Sequence, residues 1–405
     1  MKAVAWHGKR DVRVDTVPDP KIEEPTDAIV RITSSGICGS DLHLYEVLGM
    51  FMTEGDILGH EPMGIVEEVG SGVSHIAKGD RVVIPFNISC GHCWMCERQL
   101  FSQCETTQVH EYEKGAAFLG YTKLYGQVPG GQAEFLRVPQ AQFGPIKVPH
   151  ELPDERYVYL SDVLPTAWQA VEYAQIPAGG TVAVFGLGPI GQMSARIARH
   201  RGASKVFAID LVPERMAMAA RHGIEVLDWN DHEDISEALR ELTDGRGPDS
   251  VIDAVGMEAH GSSAGKFAQT AAGLLPDAVS QKLIDKGGVD RLSVVYSAFD
   301  TVRRGGTISL SGVYGGSANP MNFMQMFDKQ ITLKQGQANV KRWIDDLMPL
   351  VVDEADPLGV LDLATHKVAI DDAPHAYEIF QKKEDGAIKI LIQPQWTRRT
   401  SGHIH

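Results

Sequence analysis

Four of the five cysteines in this 405-residue sequence lie in one short segment, CGHCWMCERQLFSQC. These residues, with the spacing C-x2-C-x2-C-x7-C, are Cys90, Cys93, Cys96 and Cys104. Four thiolates so close in sequence can surround one ion tetrahedrally, and zinc is the usual occupant of such a set. An iron–sulfur motif would end in C-x3-C-P, whereas Glu105 follows the last cysteine here. The segment predicts a structural zinc with no position open to a substrate; surface cysteines without a metal are the alternative.

The fifth cysteine, Cys38, stands in GICGSDLH, and a histidine, His60, stands in LGHEPMGIV. A catalytic zinc needs few protein ligands and one open position, and a thiolate with an imidazole meets that need. The pair alone does not decide the matter, because a single histidine is more often a hydrogen-bonded interior or surface residue. Both residues are therefore candidate ligands whose assignment depends on the rest of the sequence.

A glycine-rich segment, FGLGPIG, follows an apolar strand pattern and opens a helical one. Gly186, Gly188 and Gly191 match G-x-G-x-x-G, which allows a tight turn and close approach of the backbone to a pyrophosphate. Asp210 ends the next predicted strand, where a carboxylate binds both hydroxyls of an adenosine ribose and repels a 2′-phosphate. The pattern predicts NAD rather than NADP; an ordinary glycine turn in a βα unit is the alternative.

Two regions of the chain, with different strand and helix patterns, must position these residues. Residues 1 to about 150 carry short Val/Ile runs broken by Gly and Pro, which is typical of a compact, irregular β domain. From about 166 to 330, strand patterns such as TVAVFGLG, KVFAID, SVIDAV and GTISLSGV alternate with helical ones, which predicts a doubly wound parallel sheet. After 331, two helical segments lead to a last strand, AIKILIQP. Residues 257–288 interrupt this rhythm and are predicted to be a surface insertion.

Length and composition limit the class of protein. A chain of 405 residues exceeds the usual single domain of about 100–200 residues, so two domains are expected. The net charge of -15 argues against nucleic acid or an anionic membrane as partner, and no apolar run is long enough to span a bilayer. The charged, alternating start, MKAVAWHGKRDVRVD, is typical of a strand rather than a signal peptide. Together with the clustered cysteines, this predicts a cytoplasmic protein that binds metal rather than one with disulfides.

With these motifs in place, the sequence resembles the zinc-containing medium-chain alcohol dehydrogenases over nearly its whole length. The resemblance implies an α/β protein with a GroES-like irregular β catalytic domain, residues 1–165 and 331–405, and a doubly wound Rossmann nucleotide-binding domain, residues 166–330. It also implies that Cys38 and His60 bind catalytic zinc. The family's third ligand lies just before the nucleotide domain, where LSDVLPTAW supplies Asp162.

An aspartate at this place, instead of the commoner Cys or Glu, resembles the formaldehyde dehydrogenase branch, whose members include enzymes that work without glutathione. The alternative is that Asp162 caps the following helical pattern, TAWQAVEYA, and that Glu61 completes the site. The two interpretations predict different consequences of removing the Asp162 charge.

The same resemblance implies roles for further residues. Ser40 resembles the hydroxyl that hydrogen-bonds the substrate oxygen, and His43 resembles the base that ends a proton relay. Asp41 resembles the carboxylate that orients the zinc-bound imidazole, and Glu61 one that approaches zinc transiently. The residues that resemble cofactor contacts are Thr166, Ile190, Arg215 and Lys389. Simple turn residues at 40 and 166, and a solvated charge at 389, are the alternatives.

These assignments predict an NAD-dependent oxidoreductase with two zincs per chain that acts on a small alcohol or a hydrated aldehyde, formaldehyde being the leading candidate. A polyol or general alcohol dehydrogenase would use the same core. A zinc-free quinone reductase of the same fold is disfavoured by Cys38, His60 and the four-cysteine segment. A non-catalytic protein that binds NAD and zinc would have no need of His43. The resemblance further implies a homodimer or homotetramer.

Overall fold

The computed structural model describes residues 1–256, 292–314 and 321–394. The chain divides into two compact units, Met1–Pro165 with Ala338–His405, and Thr166–Gln337. The predicted insertion, residues 257–288, lies outside the described residues. No helix in the described ranges has both the length and the apolar character that crossing a membrane requires.

The strands of the described ranges are, in chain order, β1 (Lys2–Gly8), β2 (Asp11–Thr16), β3 (Ala28–Ile37), β4 (Glu61–Val69), β5 (Arg81–Val83), β6 (Phe135–Val138), β7 (Ile146–Lys147), β8 (Thr181–Phe185), β9 (Lys205–Asp210), β10 (Glu225–Asp228), β11 (Ser250–Asp253), β12 (Thr307–Leu310), β13 (Thr332–Gln335), β14 (His366–Ala369) and β15 (Ile390–Gln393). The α-helices are α1 (Gly39–Glu46), α2 (Trp94–Glu97), α3 (Asp154–Tyr157), α4 (Val163–Ala174), α5 (Pro189–His200), α6 (Pro213–Arg221), α7 (Ile235–Glu241), α8 (Ser293–Thr301), α9 (Phe323–Lys329), α10 (Ile344–Val352) and α11 (Ala373–Lys382).

The first unit is built on a largely antiparallel sheet in the order β14-β15-β3-β4-β5-β7, with β6 also pairing with β3. Its central pair, β3 and β4, runs antiparallel in a register that sets Gly36 opposite Glu61. The alternating apolar residues of β3, including Val30 and Ile32, are buried against the neighbouring strands. The segment at the N-terminus, predicted as one strand, forms a hairpin of β1 and β2 that turns at Arg10, whose φ is 58°.

The second unit contains a six-stranded parallel sheet in the order β10-β9-β8-β11-β12-β13. This is the strand order of a doubly wound nucleotide-binding fold, with β8 as its first strand. Residues 331–337, predicted to belong to the catalytic domain, lie in this unit, because β13 pairs in parallel with β12 and extends the sheet. The apolar runs of β8 and β11 are buried on both faces, as parallel strands covered by helices require.

Candidate metal and cofactor sites

The pairing of β3 with β4 brings two distant sequence motifs together. Because Gly36 lies opposite Glu61, the residue that follows β3 and the residue that precedes β4 meet at the same edge of the sheet. Those residues are Cys38, at the start of α1, and His60. The register of one strand pair therefore explains why two motifs more than twenty positions apart in sequence share one site.

Four buried side chains converge at this edge: Cys38, His60, Glu61 and Asp162. One ligand atom from each lies within 4.8 Å of all the others. Asp162 Oδ2 is 3.6 Å from Cys38 Sγ and 3.6 Å from His60 Nε2, so the aspartate lies between the thiol and the imidazole. A soft thiol, a borderline imidazole and carboxylate oxygens form a donor set that suits zinc. We refer to these four residues as the mixed site.

Asp41 orients two members of the mixed site. Its Oδ1 lies 3.1 Å from His60 Nδ1, which favours the tautomer with the proton on Nδ1 and leaves Nε2 free for a metal. Its Oδ2 accepts a hydrogen bond from the backbone N–H of Cys38 at 2.9 Å. Behind it, the Gln132 amide and the Tyr377 hydroxyl complete a buried chain, with Tyr377 donating to Gln132 Oε1 at 2.7 Å.

Glu61 is held by the ammonium group of Lys389, and neither side chain is exposed to solvent. Lys389 also donates to the carbonyl of Ile37 at 3.0 Å, so it is not the solvated charge considered from the sequence. Gly36 is required beside this pair, because a Cβ there would lie 2.0 Å from Glu61 Oε2. Glu61 Oε1 is buried with no hydrogen-bond partner among the described residues. A buried, unpaired carboxylate oxygen beside a thiol and an imidazole fits a bound cation.

Without a cation, the mixed site favours the protonated forms of its side chains. Burial, followed by the nearby carboxylates of Glu61 and Asp162, raises the pKa of Cys38 to about 12. Burial also raises the pKa of Glu61, although Lys389 opposes this. Burial disfavours a charged imidazole, yet Asp41 and Asp162 raise the pKa of His60 well above its ordinary value. Since a divalent metal stabilises thiolate and carboxylate together, these residues fit a zinc ion.

The four cysteines of the sequence motif also converge, and their sulfur atoms all lie within 4.8 Å of one another. Cys90 Sγ is 4.0 Å from Cys96 Sγ, and Cys93 Sγ is 3.9 Å from Cys104 Sγ. Zinc–sulfur bonds of about 2.3 Å in a tetrahedron place the sulfurs about 3.8 Å apart. The observed separations therefore fit one zinc ion bound by four thiolates.

Backbone N–H groups surround this four-cysteine site. The N–H of Cys93 points at Cys90 Sγ at 3.3 Å, and the N–H of Glu105 points at Cys93 Sγ at 3.4 Å. Burial works against ionisation of Cys93, yet N–H donors, including that of Glu105, lower its pKa to about 6. Burial raises the pKa of Cys96. The Cys93 and Cys96 thiols, whose pKa values are shifted in opposite directions, ionise together only if a cation joins them, which is the expected behaviour of a zinc site.

The glycine turn lies between β8 and α5 and has the shape of a phosphate cradle. Gly186 has φ +87°, a conformation that favours glycine, and a Cβ on Gly191 would lie 1.8 Å from the Gly186 carbonyl oxygen. At Gly188, by contrast, an added Cβ would meet nothing within 4 Å. Helix α5 begins immediately afterwards at Pro189, with no side chain capping its first N–H groups. This open, N–H-rich turn fits a dinucleotide pyrophosphate.

Asp210 lies at the carboxyl end of β9 and is largely engaged by the protein. Its Oδ2 accepts the N–H of Leu187, in the glycine turn, at 2.6 Å. Its Oδ1 accepts the N–H groups of Leu211 and Val212. Since a carboxylate offers about four lone-pair sites, about one remains for a ribose hydroxyl. Arg215 Nη1 is 3.9 Å from Asp210, and its buried Nε has no hydrogen-bond partner among the described residues, so a polar ligand fits there.

The remaining predicted residues lie on helices close in sequence to these features. Ser40 and His43 are three positions apart on α1, with Ser40 half-buried and His43 buried. Thr166 is half-buried in α4, which begins directly after Asp162. Ile190 is half-buried in the first turn of α5, beside the glycine turn. Their roles towards substrate and cofactor stay predictions.

Sequence reasoning missed the residues that support the mixed site from behind. Gln132 and Tyr377 are 245 positions apart, and nothing in GGQAEF marks the glutamine as a partner of a metal-orienting aspartate. It also missed the aromatic rings around His60. Phe86 and Tyr121 both stand edge-on to the imidazole, with ring centroids 6.3 Å away. Such contacts leave no spacing pattern in the sequence.

Comparison with known proteins agrees with this architecture. Residues 24–149 match the alcohol dehydrogenase GroES-like domain, and residues 189–273 match the zinc-binding dehydrogenase domain. The zinc-type alcohol dehydrogenase-like protein AdhB from Bacillus subtilis (strain 168) is 42% identical over 398 residues, 97% of this chain and 100% of AdhB. A glutathione-independent formaldehyde dehydrogenase from Pseudomonas aeruginosa is 32% identical over 94% of each chain.

Among solved structures, the alcohol dehydrogenase TADH from Thermus sp. ATN1 is 34% identical, with a TM-score of 0.78 over 97% of this chain and 99% of TADH. The predicted fold class, a GroES-like irregular β domain with a doubly wound Rossmann domain, is confirmed. The chain belongs to the zinc-type medium-chain alcohol dehydrogenase family and is an oxidoreductase of that family.

Proposed function

We propose that this protein is an NAD-dependent dehydrogenase with two zincs per chain that oxidises a small alcohol or a hydrated aldehyde. Formaldehyde is the leading substrate, and no thiol cofactor is needed. The observation that carries the proposal is the buried mixed site, in which Asp162 lies between Cys38 and His60. A four-thiolate site is closed, whereas three protein ligands leave a position for a substrate oxygen.

Cys38, His60 and Asp162 would hold the catalytic zinc, with Glu61 beside it. When bound, zinc supplies the Lewis acidity that makes a substrate hydroxyl easier to ionise. Asp162 is a harder and less electron-donating ligand than the thiolate common at this place, which favours binding and ionising a hydrated aldehyde. The 32% identity to a glutathione-independent formaldehyde dehydrogenase supports the same substrate class.

Two residues of α1 would take the proton from the substrate. Ser40 and His43 are three positions apart, so their side chains emerge from the same side of the helix. In the proposed relay, Ser40 accepts the hydroxyl proton and His43 releases it towards solvent, a task that suits an imidazole because its ordinary pKa is about 6.5. Oxidation of hydrated formaldehyde then balances as loss of one hydride to NAD and one proton to His43, which yields formic acid.

The glycine turn and Asp210 support NAD as the hydride acceptor. The turn fits a pyrophosphate, and the carboxylate would repel a 2′-phosphate. Thr166, Ile190 and Arg215 are the further cofactor contacts that we propose. Lys389 would contact the cofactor only if its ammonium group left Glu61, because the pair is fully buried.

Steady-state rates test the proposal. We expect the zinc-loaded enzyme to oxidise formaldehyde, methanol and ethanol with NAD at a higher kcat/KM than with NADP, and to oxidise formaldehyde equally well with and without glutathione. Formaldehyde turnover only with glutathione would contradict the thiol-independent assignment. Rapid turnover of alcohols alone would instead indicate a general alcohol dehydrogenase.

The variant Asp162→Asn separates a metal ligand from a helix cap. Asn caps helices about as well as Asp, so a capping role predicts a small loss of stability, about 0.5–2 kcal/mol at most, and normal rates. A ligand role predicts weaker zinc binding and loss of turnover, with metal content as the measurement. Normal zinc content and normal rates in this variant would show that Asp162 is not the third ligand.

The oligomeric state and the cytoplasmic location also stay predictions. The proposed dimer or tetramer is testable by light scattering of the full-length chain.

A further inference from the structure

A cluster of aromatic rings stands beside the imidazole of His60. Phe86 and Tyr121 both lie edge-on to it, at centroid distances of 6.3 Å. Phe118 packs against Phe86 at 5.0 Å and against Tyr121 at 6.0 Å. Tyr125 stacks flat on Phe118 at 4.3 Å, one ring further from His60. The side of the mixed site next to His60 is therefore lined by apolar ring surface.

Tyr121 differs from the two phenylalanines by carrying a hydroxyl group. No described residue forms a hydrogen bond with this hydroxyl, although the ring itself is half-buried against the core. Its ring stands edge-on to His60, with the ring centroids 6.3 Å apart. A phenolic hydroxyl can both donate and accept a hydrogen bond, so Tyr121 brings a hydrogen-bonding group that is unused within the described ranges to the wall beside His60.

The substrate of the proposed function has one polar group more than an alcohol. A hydrated aldehyde carries two hydroxyls on the same carbon, and only one of them can occupy the position beside Cys38, His60 and Asp162. The second hydroxyl would face the apolar rings unless a donor or acceptor were present among them. A neutral hydrogen bond in such a place is worth about two- to tenfold in affinity.

We propose that the Tyr121 hydroxyl binds the second hydroxyl of a hydrated aldehyde and thereby favours such substrates over simple alcohols. This inference rests on the proposed function of the mixed site. Phe86 and Phe118 offer no hydrogen-bonding group at the same wall, so the selectivity depends on one oxygen atom. Tyr121 is a specificity residue in this assignment, since it contacts the substrate without taking part in proton or hydride transfer.

A matched pair of ligands tests the inference. Trifluoroacetaldehyde hydrate is a persistent compound with two hydroxyls on one carbon, and trifluoroethanol is its counterpart with a single hydroxyl. The dissociation constants of both are measured calorimetrically for the full chain loaded with zinc in the absence of NAD, so that no hydride acceptor is present and the hydrate is not oxidised. We expect Tyr121→Phe to weaken binding of the hydrate about two- to tenfold and to leave trifluoroethanol unchanged. The ratio of kcat/KM for formaldehyde to that for methanol should fall by the same factor.

Tyr125→Phe is the control, because it removes a hydroxyl from the ring that stacks behind Phe118 and should change neither ligand. The melting temperature of Tyr121→Phe should match the wild type, whereas a hydroxyl with only a structural role would lower it. Equal weakening of both ligands, or of neither, would overturn the role of Tyr121 while the mixed site stands. Failure of the wild type to bind either ligand would overturn the substrate site itself and this inference with it.

Discussion

The four-cysteine site and the mixed site differ in how the chain assembles them. The four cysteines come from one segment, residues 90–104, and their sulfurs accept hydrogen bonds from backbone N–H groups of that segment and of Glu105, the next residue. The mixed site joins residues up to 124 positions apart, and side chains rather than local backbone orient it. One site is thus formed by a local loop around soft donors, and the other by the sheet of a whole unit around mixed donors.

This difference predicts that the two sites do not depend equally on a bound metal for their folding. Cys90, Cys96 and Cys104 are the core of their own small cluster, together with Phe101 and Ala116, so few apolar side chains other than the cysteines are buried in that segment. The mixed site is surrounded by a separate, extended core that includes Ile37, Leu42 and Tyr377. We expect the four-cysteine segment to need its metal in order to fold, and the mixed site to persist as a shape without one.

The largest expected effect is the contrast between Cys104→Ser and Cys38→Ser. Cys104→Ser should unfold or precipitate the protein, because the binding energy of a structural zinc is folding energy. Cys38→Ser should stay folded, lose one of two zincs and lose turnover. Metal analysis, circular dichroism and activity of the two purified variants make the comparison.

Two outcomes would break this contrast. If Cys38→Ser kept both zincs and its turnover, the mixed site would not be the catalytic site. If Cys104→Ser remained folded with a single zinc, the four-cysteine segment would not depend on its metal. The second outcome would make the two sites alike in their relation to folding.

The four-cysteine site could be predicted from sequence because its geometry is local. Spacing alone brings four sulfurs together, whatever the rest of the chain does. Cys38 and His60 were candidate ligands by residue type, but only the family resemblance assigned them, with Asp162, to one zinc, because the meeting of Cys38 and His60 depends on the register of β3 with β4. The burial of Lys389 against Glu61, a carboxylate more than 300 positions away, likewise has no local signal.

The second unit shows a similar limit. The apolar strands β8, β9, β11 and β12 were predicted, because parallel strands buried on both faces have continuous apolar runs. Strand β13, with the sequence TLKQ, is an edge strand with three of its four residues exposed, so no apolar run marks it. Because β13 was not predicted, the boundary between the two domains was predicted before residue 331. Edge strands and half-exposed hairpins are therefore where the sequence pattern fails.

The next largest effect tests the support of the mixed site. Lys389→Met leaves the Glu61 carboxylate buried without its partner, which should destabilise the first unit by about 3–5 kcal/mol. The double variant with Glu61→Gln should recover most of this loss, since both charges are then gone. Urea unfolding measures the free energy of unfolding of the wild type, of Lys389→Met, of Glu61→Gln and of the double variant. If the single variant were as stable as the wild type, Lys389 would not hold Glu61.

A smaller effect is expected when Asp41 is changed to Asn. The Asp41 carboxylate fixes the tautomer and orientation of His60, and such partners typically contribute about 10–100-fold to metal affinity. Competition with a chromophoric chelator should show one zinc released at lower chelator concentration, while the other is unaffected. Equal weakening of both zincs would indicate a general loss of structure instead, and unchanged affinities would show that Asp41 does not orient the ligand.

The smallest effect concerns how the four-cysteine segment is attached to the rest of its unit. The backbone N–H and the hydroxyl of Ser102 both donate to Asn339 Oδ1, each at 3.0 Å. Ser102→Ala removes the hydroxyl donor and leaves the N–H donor in place. The expected loss is about 0.5–1.5 kcal/mol in the free energy of unfolding, with zinc content and rates unchanged.

Ser89→Ala is the matched control for Ser102→Ala, because the Ser89 hydroxyl is also buried, one residue before Cys90, and has no hydrogen-bond partner among the described residues. Its removal should cost nothing, since no hydrogen bond is lost and no partner is left unsatisfied. If Ser102→Ala also lost zinc, attachment rather than metal would hold the segment together. The dependence on long-range contacts now assigned to the mixed site would then apply to the four-cysteine site as well.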